Sequence, residues 1–144
     1  MQPPTLTKLL RVIGVGTTTS VDGVAVSLLA VEIYADGFAI PLLLQLGGGR
    51  TFEMGRMPPN EPGAELAWRV TDDLGNLYAP WPRSAGGTNT EWRFHFGFSP
   101  GLPPEARSLG VGIDSVALRR YSDDREQGIR EIRWPGPWEF SVAI

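Results

Sequence analysis

Residues 92–99 read WRFHFGFS, and the alternation in this stretch decides the fold class. Trp92, Phe94, Phe96 and Phe98 fall on one face of an extended chain, and Arg93, His95, Gly97 and Ser99 fall on the other. Four aromatics at a spacing of two mark a strand that sits in a core. The same period of two recurs on both sides of it. Phe38, Ile40, Leu42, Leu44 and Leu46 form one face of a long strand, Leu66, Trp68 and Val70 another, and Trp138, Phe140, Val142 and Ile144 close the chain in phase. Helical periodicity is almost absent.

The 18 glycines and 13 prolines are spread between these short runs, as tight turns between many strands require. Asp22–Gly23 and Asp36–Gly37 are hairpin signals, because such turns need residues that tolerate positive φ. The first hairpin joins strands at Leu9–Val15 and Val24–Tyr34. Along the second of these, apolar residues occupy even positions to Leu28 and odd positions at Val31 and Ile33, so a β-bulge near Leu29 and Ala30 is expected. Leu109, Val111 and Ile113 shift phase against Val116 and Leu118 in the same way, which places a second bulge near Asp114 and Ser115. Pro41 points its strand toward a sheet edge.

Two stretches lose the alternation: residues 47–63, long enough to be a functional loop, and residues 82–90, PRSAGGTNT. Pro100 to Glu105 reads as a crossing with one helical turn, and residues 121–128 as a solvated loop in which Asp123, Asp124 and Glu126 stay in water. The expectation is a single all-β domain over 1–144, an immunoglobulin-like antiparallel β-sandwich of eight or nine strands.

The segments VDGVAVSLLAVEIYADG (21–37), DDLGNLY (72–78), LGVGIDSVAL (109–118) and GPWEF (136–140) follow one another in an order that resembles the immunoglobulin-like ectodomains of bacterial anti-sigma factors and related uncharacterised proteins. That resemblance spans most of the chain and implies a fold. In that group the domain stands outside the membrane behind a transmembrane helix, which this sequence lacks together with the sigma-binding segment. No site residue is carried over.

Composition removes several function classes. With no cysteine there is no disulfide framework, thiol nucleophile or Fe–S cluster, and a single histidine, His95, rules out a multi-histidine metal site. A formal charge of −3 without a basic block argues against nucleic acid as a partner. No run approaches the roughly 20 apolar residues of a membrane span, and the start MQPPTLTKLLRVIGVG is not a signal peptide, so cytoplasmic residence is the default expectation. The glycine runs do not open helices and therefore do not cradle phosphate.

What chemistry remains is sparse. His95 faces away from the aromatic stripe, and its expected state is that of a solvated strand residue, not a general base. Asp72, Asp73 and Asn76 offer oxygens for Ca²⁺, but Asp and Asn also build such a turn by bonding their own backbone, and that reading is preferred. Trp68, Trp92 and Trp138 read as core. Trp81 and Trp134 stand beside prolines, each with a nearby arginine, Arg83 and Arg133. Exposed on one rim, these four residues would make an aromatic patch for a protein partner or a sugar ring; folded inward, the two rings would cap the core.

The functional expectation is a non-enzymatic interaction module that contacts a protein through loops or an edge strand, with Trp81, Arg83, Arg133 and Trp134 as candidate residues and with no cofactor or metal. Carbohydrate binding through the two tryptophans and a structural subunit that assembles by strand addition are the alternatives. An acid/base hydrolase built on the aspartates is a further one, requiring two carboxylates in one cleft.

Overall fold

The computed structural model describes residues 2–49, 64–88, 90–121 and 129–144. They form eight strands: β1 (Leu9–Val21), β2 (Val24–Tyr34), β3 (Gly37–Leu46), β4 (Ala64–Asp72), β5 (Leu77–Gly87), β6 (Glu91–Ser99), β7 (Ser108–Tyr121) and β8 (Ile129–Ala143). Neighbours are antiparallel throughout, in the order β1-β2-β3-β6-β5-β4-β7-β8. The ends of that order approach each other. The Thr19 hydroxyl on β1 donates to the carbonyl of Glu139 on β8 at 3.1 Å, and the Trp138 indole N–H reaches the carbonyl of Val24 at 2.9 Å. The chain is therefore an all-β antiparallel sheet, nearly closed and barrel-like.

The seam between β5 and β4 is also thin. Only Val70↔Tyr78 and Thr71↔Leu77 pair across it, and beyond them β4 follows β7 while β5 follows β6. The interior is filled from both sides of this seam. Trp92, Phe94, Phe96 and Phe98 are all buried, as the alternation requires. Phe38 stacks on Phe98 at 5.1 Å and meets Tyr78 edge-on at 5.0 Å, while Trp68 approaches Phe96 and Phe98 at 5.2 and 5.1 Å. Each large side chain removed from water in this way contributes roughly 1.5–3 kcal/mol.

Both expected bulges are present. The β2–β3 register passes from Leu28↔Leu42 to Glu32↔Ala39, four steps against three, so Leu28 and Val31 are both fully buried despite their opposite parity. On β7 the register against β4 passes from Val116↔Leu66 to Ile113↔Trp68, and Ile113 and Val116 both face the core. The Asp22–Gly23 turn has φ values of 49° and 77°, the left-handed pair that a two-residue hairpin needs.

Three local expectations are corrected. Pro41 does not mark an edge: β3 lies between β2 and β6. Its missing N–H is tolerated because Ile40 and Pro41 lie opposite the β2 bulge, where that ladder is interrupted. Residues 82–87 belong to β5, not to an open stretch; they lack alternation because all six are exposed and the register slips between Pro82 and Ser84. The crossing after Pro100 is a turn closed by Ala106 N–H on the Pro103 carbonyl, with no helix. Of the long stretch 47–63, residues 50–63 lie outside the described residues, as do Asp123, Asp124 and Glu126. No helix among the described residues is long and apolar enough to cross a membrane.

The chain before β1 straps the sheet from outside. Asp36 accepts from the Thr5 backbone N–H at 2.6 Å, from the Thr5 hydroxyl at 2.8 Å and from the Leu6 N–H at 3.3 Å. Pro4 and Leu6 then lie over glycines. A Cβ on Gly37 would strike the Phe98 carbonyl and sit 2.7 Å from Pro4 Cβ, and one on Gly97 would meet Leu6 at 3.2 Å. Gly37 is thus required for close approach, while the turn before it is made by Ala35 and Asp36.

Candidate interaction surfaces

The four residues singled out by sequence fall into two separate pairs. Trp81 lies on β5 opposite Gly97, on the outside of the sheet, half-buried, with its indole N–H donating to the Ser99 hydroxyl at 2.9 Å. Arg83 is exposed, and its stem passes within 3.4 Å of where a Gly97 Cβ would stand. Trp134 lies on β8 opposite Val116, half-buried against the core, while Arg133 points outward and pairs with Glu131 at 2.7 Å and the Ser115 hydroxyl at 3.2 Å. Among the described residues β5 and β8 are not in contact. The structure therefore brings Trp81 to Arg83 and Trp134 to Arg133, but does not bring the two pairs together.

The DDLGN turn uses its carboxylates internally. Asp72 accepts from the backbone N–H groups of Leu74 and Asn76, the Asn76 side-chain amide and the Tyr78 hydroxyl, at 2.7 to 2.9 Å. Burial by itself would raise the Asp72 pKa, but the bonds from Asn76, Tyr78 and Leu74 outweigh it and hold the group at about 2. Burial, and then the hydrogen bond to Asp72, push the Tyr78 hydroxyl upward. Asp73 is likewise held low, first by the Arg107 N–H at 2.8 Å and then by Ser108 N–H at 3.2 Å. These oxygens tie the β4–β5 turn to the start of β7. Among the described residues no group of three or more His, Asp or Glu side chains is arranged to hold a metal ion.

His95 is not simply solvated. Its Nε2 lies 2.8 Å from Glu32 Oε1, an outer-face pair that bridges β6 and β2 across Pro41. It borders an open groove of about 660 Å³ between the Leu29 bulge and the small residues Ser84 to Gly87 of β5. On β4, Arg69 spans Asp114 at 2.8 Å and Glu139 at 3.3 Å above Gly112.

Sequence reasoning did not single out β1. This strand pairs with β2 alone, and its first half exposes Leu9, Leu10 and Val12 at 50%, 56% and 53%. The apolar run there does show in the sequence, but which edge stays open depends on strand order, which is set by residues far away along the chain.

No family model and no curated protein matches the chain. Among solved structures it is similar to one described as the crystal structure of the conserved domain protein from Bacillus anthracis, with a TM-score of 0.65 and 14% identity. The likeness covers 93% of this chain and 48% of the other, so this chain spans about half the length of that protein. At that identity the likeness is one of fold.

Proposed function

We propose that the chain is a non-enzymatic interaction module that contacts a protein partner through an edge strand, and that the strand is β1. One observation carries this reading. β1 has a backbone ladder on one side only, and Leu9, Leu10 and Val12, three large apolar side chains within four residues, are half or more exposed on it. A free strand edge flanked by exposed apolar groups is the template on which a partner's extended segment adds. Two other open edges carry prolines, which have no N–H to donate: Pro80 and Pro82 on β5, and Pro135 and Pro137 on β8. β1 carries no proline.

The chemistry elsewhere supports contact over catalysis. The aspartates that an acid/base reading needs are engaged in the β4–β5 turn, and His95 is engaged with Glu32. The glycan alternative relied on Trp81 and Trp134 forming one platform, and they sit on strands that do not touch. At the level of fold, an immunoglobulin-like assignment and kinship with anti-sigma ectodomains go with this proposal. The two groups β1-β2-β3-β6-β5 and β4-β7-β8 support a sandwich, and the hydrogen-bonded path that joins all eight strands departs from one.

The test places a photo-activatable residue at position 10 and, as a control, at position 77, where Leu77 is 73% exposed on β5. Cross-links to a partner's extended segment should form from position 10 and vanish when Leu9 and Val12 are both changed to lysine. Cross-links no more frequent from position 10 than from position 77 would overturn the reading.

A further inference from the structure

The register of β1 says what kind of segment its edge fits, an inference that rests on the strand-addition reading above. Val12 is opposite Glu32, whose carboxylate meets His95 on the outer surface, so Val12 faces outward. Ile13 is opposite Val31, which is fully buried, so Ile13 faces inward. Arg11 is opposite Ile33, a residue packed against the core, and therefore shares the inward face at the rim of the barrel. Leu10 is the extra residue of a bulge, since two steps on β1 from Leu9 to Arg11 match one step on β2 from Tyr34 to Ile33. Leu9, opposite Tyr34, returns to the outer face with Val12. The open half of β1 thus presents Leu9 and Val12 on its outer face and Arg11 beside the half-buried Ile13 on the other, with Lys8 just ahead of the strand.

Arg11 and Lys8 differ from four other cations among the described residues. Arg69, Arg93, Arg119 and Arg133 each form an ion pair with a carboxylate at 2.7 to 3.3 Å. Neither Arg11 nor Lys8 forms an ion pair among the described residues, and both are exposed. β1 itself, LLRVIGVGTTTSV, contains no carboxylate, and the nearest on β2, Glu32, is taken by His95. Two copies of β1 meeting edge to edge would therefore bring four cations into one interface with no anion from either strand. A second copy is the wrong occupant on charge.

We infer that the edge of β1 receives an extended segment of another protein whose alternate residues are apolar and acidic, the apolar ones lying beside Leu9 and Val12 and the carboxylates beside Arg11 and Lys8. Opposite charges across neighbouring strands stabilise the pairing and like charges oppose it, so the charged face selects the partner while the ladder and the apolar face hold it. The contact is short. A second register slip between Gly14 and Thr17 leaves Arg11–Gly14 as the regular stretch, so the binding is weak and reversible.

Three labelled octapeptides test this: alternating valine–glutamate, valine–lysine and valine–serine. Each is titrated into the chain by fluorescence anisotropy, with hydrogen exchange reading which amides become protected. The proposal expects the glutamate peptide to protect Leu9–Gly14, to bind about ten-fold more tightly than the lysine peptide, and to weaken as salt is raised. Arg11→Glu, checked for an unchanged circular dichroism spectrum, should invert that order. If all three peptides protect β1 equally, the acidic specificity is wrong and strand addition stands. If none protects β1, or protection falls elsewhere, both fall. Protection of β1 that rises with protein concentration in the absence of peptide would identify a second copy as the occupant and overturn the proposal.

Discussion

β6 and β1 have similar local sequences and opposite fates. Both are rich in large apolar residues: WRFHFGFS alternates aromatic with polar residues, while LLRVIGVG carries Leu9, Leu10, Val12, Ile13 and Val15 on both faces; each reads as a strand. β6 lies between β3 and β5, its inward side chains are buried, and even Gly97 and Ser99 on its outer face are covered. β1 lies at the end of the sheet, and Leu9, Leu10 and Val12 stay in water. Local pattern specifies that a strand forms and, where it alternates as in β6, which face turns inward. Position in the strand order decides whether the apolar residues are structural or available.

The most severe way to break this comparison is to truncate one side chain on each strand. Phe98→Ala removes a fully buried ring stacked on Phe38 and met edge-on by Trp68, and should lower stability by about 3–5 kcal/mol in urea denaturation. Leu10→Ala should stay within about 0.5 kcal/mol. Comparable losses from both would mean that β1 is not an open edge. Next in size is Gly37→Ala, where a single methyl meets the Phe98 carbonyl and the Pro4 ring at once; the expected cost is about 1–3 kcal/mol, seen as a lowered urea midpoint.

Much of the fold can be read directly from residue pattern. The Asp22–Gly23 turn follows from residues that tolerate positive φ, and the four aromatics of β6 and both bulges follow from parity, because a phase change in a strand with one buried face has to be absorbed somewhere. β5 was harder to read, since an edge exposed on both faces has no reason to alternate. Pro41 misled for a related reason: the missing N–H requires an interrupted ladder, and a bulge in the adjoining strand supplies one as well as an edge does. The candidate site was least legible. Trp81 with Arg83, and Trp134 with Arg133, are recognisable as pairs because each is local, but joining them needs strand order. The strap from Thr5 to Asp36 spans 31 positions and leaves no local signal.

The comparison sharpens at the β4–β5 turn, where the support is electrostatic instead of apolar. Tyr78→Phe removes the donor to Asp72 and should cost roughly 1–2 kcal/mol near neutral pH. The pH dependence has a definite sign. Asp72 is held at about 2 in the folded chain against an ordinary value of 3.8, so its contribution is complete above about pH 4 and is lost as pH falls toward 2. With Tyr78→Phe the folded value rises toward the ordinary one, and the stability lost between pH 4 and 2 should shrink. Acid titrations of parent and variant, followed by fluorescence, compare the two slopes. An unchanged slope would mean that Asn76 and the backbone donors alone hold the carboxylate down.

The smallest effect expected is at the strap, which shares an end of the sheet with the exposed start of β1. Leu6 has φ of 50°, a left-handed conformation that a branched side chain adopts only when its surroundings impose it, and those surroundings are Asp36 and the Gly97 floor. The hydrogen bonds from Thr5, side chain first and then backbone, hold the Asp36 carboxyl below its ordinary range. The strap's anchorage is therefore complete above the ordinary carboxylate value and weakens as pH falls through the lowered one. Asp36→Asn keeps the shape and removes the charge. Amide exchange at Thr5 and Leu6 should quicken several-fold while the buried amides of β3 and β6 keep their protection, because the strap opens on its own and the barrel does not. Equal acceleration in both places would show that strap and barrel unfold as one unit, and that the covered face of β6 depends on the strap as much as on its own neighbours.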